Sequence, residues 1–178
     1  MIEENLRNVF LEYPEVMYGF TDIAYSIYAG DYKSALVFAV PHAEKLTIDT
    51  YSEEKFERNL QDAKKVVEKI IKQLKKLLDE HGVKYYIPPV AQNNEVDLTA
   101  PFSFKFAAIN AGLGWIGKND VVVTEKYGPR VRLSAILINE PFAYNNKDLH
   151  SNCPENCRKC VDACPHKHCM MYNGTSAR

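Results

Sequence analysis

All five cysteines of this 178-residue chain follow residue 152, in the run Cys153-Pro-Glu-Asn-Cys157-Arg-Lys-Cys160-Val-Asp-Ala-Cys164-Pro165 and at Cys169. Residues 1–152 contain none, so these thiols are not small hydrophobes scattered through a core. The spacing C-x3-C-x2-C-x3-C-P is one residue longer at its first gap than the iron–sulfur run C-x2-C-x2-C-x3-C-P. Short spacers let one loop wrap an inorganic centre, and the proline turns the chain away from it. Thiolates are soft ligands, which narrows the choice to iron–sulfur or zinc.

A zinc site usually shows two ligand pairs separated by a longer insert. Here four cysteines fall within twelve residues, a pattern that favours a [4Fe–4S] cluster and leaves a zinc-binding structural module as the alternative. A disulfide scaffold fits poorly, because the cysteine count is odd and the N-terminus MIEENLRN lacks the layout of a signal peptide. Two complete four-cysteine sites need eight thiolates against the five present. Either Cys153, Cys157, Cys160 and Cys164 close one cluster with Cys169 spare, or further ligands lie beyond Arg178. His150, His166 and His168 are near enough in sequence to stand in as ligands, although histidines in a basic loop are commonly just solvated.

The rest of the chain must position this segment. An apolar fraction of 46%, a charged fraction of 25% and a net charge of −1 describe a soluble globular protein without the footprint of a nucleic-acid binder. On that charge the reading is against tRNA as a partner. The longest apolar run, Ala35–Val40, is far too short to span a bilayer, and a cytoplasmic, reducing compartment is expected. A mixed α and β domain over residues 1–148 and a Cys-rich segment over 149–178 are expected.

Within the domain, Leu6, Val9, Phe10 and Tyr13 mark a helix before Pro14. Ser34–Val40 reads as a strand buried on both faces. A stripe of Phe56, Leu60, Ala63, Val66, Val67, Ile70, Ile71, Leu74, Leu77 and Leu78 predicts a helix over 53–81, with capping-box spacing at Thr50 and Glu53 and a stop at Gly82. Val83–Ile87 reads as a strand and residues 101–111 as helix-like. Residues 119–124 and 130–138 read as strands of a hairpin joined at Tyr127-Gly-Pro129.

Gly112-Leu-Gly114-Trp115-Ile-Gly117-Lys118-Asn119 matches G-x-G-x-x-G and nearly matches the P-loop. Both motifs need a strand before the glycines and a helix after them. Here a helical segment leads in and a β-branched strand leads out, so both are rejected. Two readings remain open: a helix-to-strand turn in which Trp115 fills core, or a place where bare backbone approaches a large flat cofactor.

Three elements in order, Ala111–Asn119, Tyr127-Gly-Pro-Arg-Val-Arg132 and Cys157-x2-Cys160-x3-Cys164-Pro165, resemble the epoxyqueuosine reductase family and its short ferredoxin-like relatives. The resemblance implies an α+β domain of nitroreductase-like, corrinoid-accommodating shape, followed by a ferredoxin-like segment. It also implies an oxidoreductase whose [4Fe–4S] clusters pass electrons to a cobalamin. Gly112, Gly114, Trp115 and Gly117 would lie near the corrin, and Lys118 and Asn119 would shape its pocket. A redox partner protein of unknown identity is implied as well. The family's acidic proton donor corresponds to Asp97, although Leu98 shifts its register by one residue. Arg130 and Arg132 are candidates for an anionic group, or a solvated strand face. A non-catalytic electron carrier is the alternative function.

Overall fold

A computed structural model describes residues 2–47, 49–89, 101–144 and 151–163. Asp97, Cys164, Cys169, His150, His166 and His168 lie outside the described residues. Helix α1 (Ile2–Val9) and a 3-10 turn (Phe10–Glu12) lead into β1 (Met17–Asp22), and β2 (Ser34–Pro41) returns beside it. Helix α2 (Glu53–Glu80), β3 (Tyr85–Tyr86) and α3 (Phe104–Asn110) follow. Two short strands, β4 (Trp115–Ile116) and β5 (Val122–Val123), precede the long β6 (Val131–Ile138), and α4 (Lys159–Asp162) lies in the cysteine segment. The main sheet has the order β1-β2-β6-β3 with every neighbouring pair antiparallel.

The continuous apolar run of β2 requires cover on both faces, and the fold supplies it with two different layers. Leu36, Phe38 and Val40 join Ile136 and Ile138 of β6 against α1 and α2. On the other face Ala35, Val37 and Ala39 join Ala135 and Leu137 against Ala107 and Ala108 of α3, with Leu113 and Val122. That second face is built largely of alanine, so α3 sits close to the strands. Gly19 of β1 belongs to the same close fit, since a Cβ there would lie 2.5 Å from the Ala111 carbonyl oxygen.

Helix α2 matches the expected stripe in its C-terminal half, where Ile70, Leu74 and Leu78 are fully buried. Phe56, expected on the stripe, is 38% exposed and packs against the ring of Tyr51 instead. The start differs from the expected capping box. Ser52, not Thr50, caps the helix by accepting from the Lys55 N–H at 3.2 Å. The Thr50 hydroxyl accepts from Thr47 N–H instead, at 2.9 Å. Gly82, at φ +63°, closes the far end with the Val83 N–H donating to the Leu78 carbonyl at 2.9 Å.

The expected hairpin of residues 119–124 with 130–138 does not form. Val122 and Val123 pair back with Ile116 and Trp115, and Thr124 closes a tight loop through two backbone bonds with Gly128, at 2.8 and 2.9 Å. The loop delivers β6 between β2 and β3. Burial decides the matter: the apolar half of β6, Ser134–Ile138, needs two covered faces, and only a central place in the sheet provides them. Truncating Leu74 to alanine opens the α2 side of this core. The expected loss of stability is about 2–5 kcal/mol, measured by urea unfolding of the purified variant.

Candidate functional site

The glycine stretch begins as a helix cap. Ser103 starts α3, its hydroxyl accepting from the Phe106 N–H at 3.3 Å. At the other end Gly112 takes φ +76°, its N–H donates to the Ile109 carbonyl and the Leu113 N–H donates to Ala108, both at 2.9 Å. This is a six-to-one capping motif, and a glycine is favoured where φ is positive. The chain then runs straight into the β4–β5 hairpin. A Cβ on Gly114 would collide with the Val123 carbonyl, and one on Gly117 would lie 2.7 Å from Asn119 Oδ1. The cap and the hairpin thus require glycine at 112 and 114 on their own account.

The hairpin loop is pinned from its sides. Asn119 Oδ1 accepts from the Val121 N–H at 3.4 Å, and Asp120 sits at φ +58°. Lys105 of α3 reaches across to the Asp120 carboxylate at 2.8 Å and its carbonyl at 2.7 Å. Held this way, the loop points Lys118 at the cysteine segment. Its ammonium donates to the carbonyls of Glu155 at 2.6 Å, Pro154 at 3.1 Å and Cys157 at 3.2 Å. One cation therefore gathers three carbonyls from the loop between the first two cysteines.

Cys153 meets the same turn through its sulfur. Partial burial works against its thiolate, but the main-chain N–H of Lys118, the Ser151 hydroxyl, the Trp115 indole and the Lys118 charge together outweigh that and lower the thiol pKa. The indole Nε1 of Trp115 is buried and has no hydrogen-bond partner among the described residues. Cys153, Cys157 and Cys160 are free thiols, each partly buried. Among the described residues no three His, Cys, Asp or Glu side chains converge as a metal site. Of the ligand run, Cys164 and Cys169 lie outside the described residues, as does Asp97.

The structure therefore brings Trp115, Lys118 and Cys153 together, with Gly112, Gly114 and Gly117 as the backbone that allows it. Asn119 is spent on the hairpin loop. Sequence reasoning placed Lys118 beside a pocket and missed its grip on the cysteine loop. No local pattern signals a lysine bound to carbonyls 36 to 39 positions away. Among the described residues, no helix is long and apolar enough to cross a membrane.

No family model matches the chain. An epoxyqueuosine reductase of Atelocyanobacterium thalassa is 34% identical over 123 residues, which cover 63% of this chain and 37% of that protein. A tetrachloroethene reductive dehalogenase of Dehalobacter restrictus is 32% identical over 90 residues, covering 46% of this chain and 14% of that one. Among solved structures, an epoxyqueuosine reductase of Bacillus subtilis, with its catalytic aspartate loop swung out of the active site, superposes with a TM-score of 0.64 at 17% identity. It covers 94% of this chain and 52% of the other. An epoxyqueuosine reductase with an epoxyqueuosine-modified tRNA-Tyr stem loop gives a TM-score of 0.63 at 18% identity, covering 94% and 52%. The chain thus spans about half the length of the solved proteins whose fold it shares, and 37% of the cyanobacterial relative.

The tRNA-bound neighbour corrects one expectation. A net charge of −1 argued against tRNA, yet a protein of the same fold is solved with a tRNA stem loop. Net charge sums over the whole surface, whereas nucleic acid responds to the local arrangement of cations.

Replacing Lys118 with methionine keeps the stem and removes the cation. Amide exchange over residues 151–163 is expected to quicken by about tenfold or more, the loss of charge-assisted hydrogen bonds worth about 1.5–3 kcal/mol. Exchange in β2 and β6 should stay unchanged. Equal acceleration in both regions would mean that Lys118 supports the whole fold.

Proposed function

We propose that this relative of the epoxyqueuosine reductases is a redox enzyme in which the cysteine loop carries a [4Fe–4S] cluster against the glycine turn of the α+β domain. The observation that carries the reading is the junction of Trp115 and Lys118 with Cys153 and the carbonyls behind it. Ligand thiols must be deprotonated, and the turn favours the thiolate of Cys153. The donor set is soft, and its described members are free of disulfides. Cys153, Cys157, Cys160 and Cys164 would hold the cluster, with Cys169 in reserve.

When bound, the cluster supplies low-potential one-electron transfer and a cobalamin supplies the reduction of the substrate. The chain's own part is to hold and screen. Lys118 balances negative charge on the thiolates and fixes the loop between Cys153 and Cys157. Trp115, whose buried indole N–H has no other partner among the described residues, would donate to a ligand sulfur there. A flat cofactor would rest beside the turn of 112–117, whose glycines serve the helix cap and the hairpin. Asp97 is the proposed proton donor, a role that needs a carboxyl pKa raised by its surroundings. The catalytic aspartate loop of the Bacillus subtilis neighbour supports that assignment. The tRNA-bound neighbour supports a modified tRNA nucleoside as substrate, with the parts of the relatives that this chain does not span adding contacts of their own.

Anaerobic reconstitution with iron and sulfide is expected to give broad visible absorption and about four irons per chain. Cys157→Ala and Cys160→Ala should each lose most of that iron, and retention of the full load would sink the ligand assignment. Hydroxocobalamin should travel with the protein through gel filtration, whereas clean separation would favour a plain electron carrier. Asp97→Asn should leave the iron in place and slow turnover by about 10²–10⁴-fold.

A further inference from the structure

Across the main sheet from the cysteine junction, on the α2 side, lies a cavity of about 290 Å³ lined by His42, Glu44, Tyr51, Phe56, Asn59 and Arg130. It forms where β2 and β6 leave the sheet. The His42 N–H donates to the Arg130 carbonyl at 3.0 Å, which extends the ladder by one step and sets the two residues side by side. Arg132, opposite Val40, follows two positions along the same strand face.

The cavity has a fixed wall. Asn59, 5% exposed, uses both ends of its amide on the main chain of Glu44, donating to the carbonyl and accepting from the N–H, each at 2.9 Å. Glu44 itself is engaged by Lys55 at 3.1 Å. On the rim the rings of Tyr51 and Phe56 lie 6.1 Å apart, tilted by 44°, and both are exposed. The Tyr51 hydroxyl donates to Glu53 at 2.6 Å, which holds its ring in place.

The charge balance of this spot is uneven. Among the described residues neither Arg130 nor Arg132 has an acidic partner within ion-pair distance. Burial and these two guanidinium groups lower the pKa of His42, so its ring is neutral near pH 7 and can donate one N–H. Two guanidinium groups on one strand face with no acidic partner make a local positive field that attracts an anion. A planar, donor-rich guanidinium fits phosphate, and exposed aromatic rings fit a flat apolar group. The volume is at the small end of ligand sites, which span roughly 300–1,000 Å³.

We propose that this cavity binds a phosphate monoester of a planar ring system, a nucleoside monophosphate being the simplest case. Arg130 and the His42 ring N–H meet the phosphate, Arg132 adds charge from two residues further on in β6, and the ring lies against Tyr51 and Phe56. This site is separate from the redox junction and does not depend on the iron–sulfur reading.

Calorimetric titration of the full chain with AMP, adenosine and inorganic phosphate tests it. AMP is expected to bind at least about tenfold more tightly than either fragment, since each fragment lacks half of the contacts. Arg130→Gln and Phe56→Ala should each weaken AMP binding by about tenfold or more. Thermal unfolding and the iron load after reconstitution should be unchanged in both. Should Arg130→Gln fail to fold, Arg132→Gln is expected to weaken AMP binding in the same direction. AMP that binds no better than phosphate, or equally well in the folded arginine variants, overturns the proposal. So does a short single-stranded RNA that binds through Arg130 while AMP does not.

Discussion

The contact on which the functional geometry depends is that of one ammonium group with three carbonyls. Lys118 reaches Glu155, Pro154 and Cys157 at 2.6 to 3.2 Å, and through them it joins the cysteine loop to the folded domain. Three carbonyl oxygens turned toward one point concentrate partial negative charge there. A cation among those oxygens offsets it. The reach of a lysine is short, so its base must be placed within a narrow range, and the rest of the fold supplies that placement.

The placement can be followed inward. Lys118 stands on the β4–β5 hairpin, whose strands close only because Gly114 has no side chain to strike Val123. The hairpin begins directly at the capped end of α3, at a turn that Gly112 permits. Helix α3 lies against Ala35, Ala39 and Ala135, where small side chains bring its backbone near the strands. On the opposite face of the same strands, leucine, isoleucine and phenylalanine meet the long helix α2. The sheet thus has one face shaped for close approach and one for bulk. The junction with the cysteine loop grows from the first, and the cation-lined cavity sits at the margin of the second.

Much of this is written locally. The residues of α2 announce themselves by period and by the glycine that stops them, and the double burial of β2 follows from its unbroken apolar run. The cap at 112 is readable too, because a helical lead-in and a β-branched exit exclude both phosphate-binding motifs. Other elements are not local. Thr50 and Ser52 are each chemically fit to cap α2, and the path of the preceding loop chose Ser52. The valines after Asn119 look equally ready to pair forward or back. They pair back because β6 is drawn into the centre of the main sheet, where alone its apolar half is covered on both faces.

By itself the sequence determined the soft donor set, the confinement of every cysteine to the residues after 152, and the strands and helices long enough to show a period. These are properties of residue type and near-neighbour spacing. Only the tertiary structure decided that Lys118 faces the loop after Cys153, that the Trp115 indole N–H is buried beside the same turn, and that His42 and Arg130 share a cavity wall. Such meetings join residues far apart in the chain, and their cost and gain are set by packing between layers, which no single stretch of sequence contains.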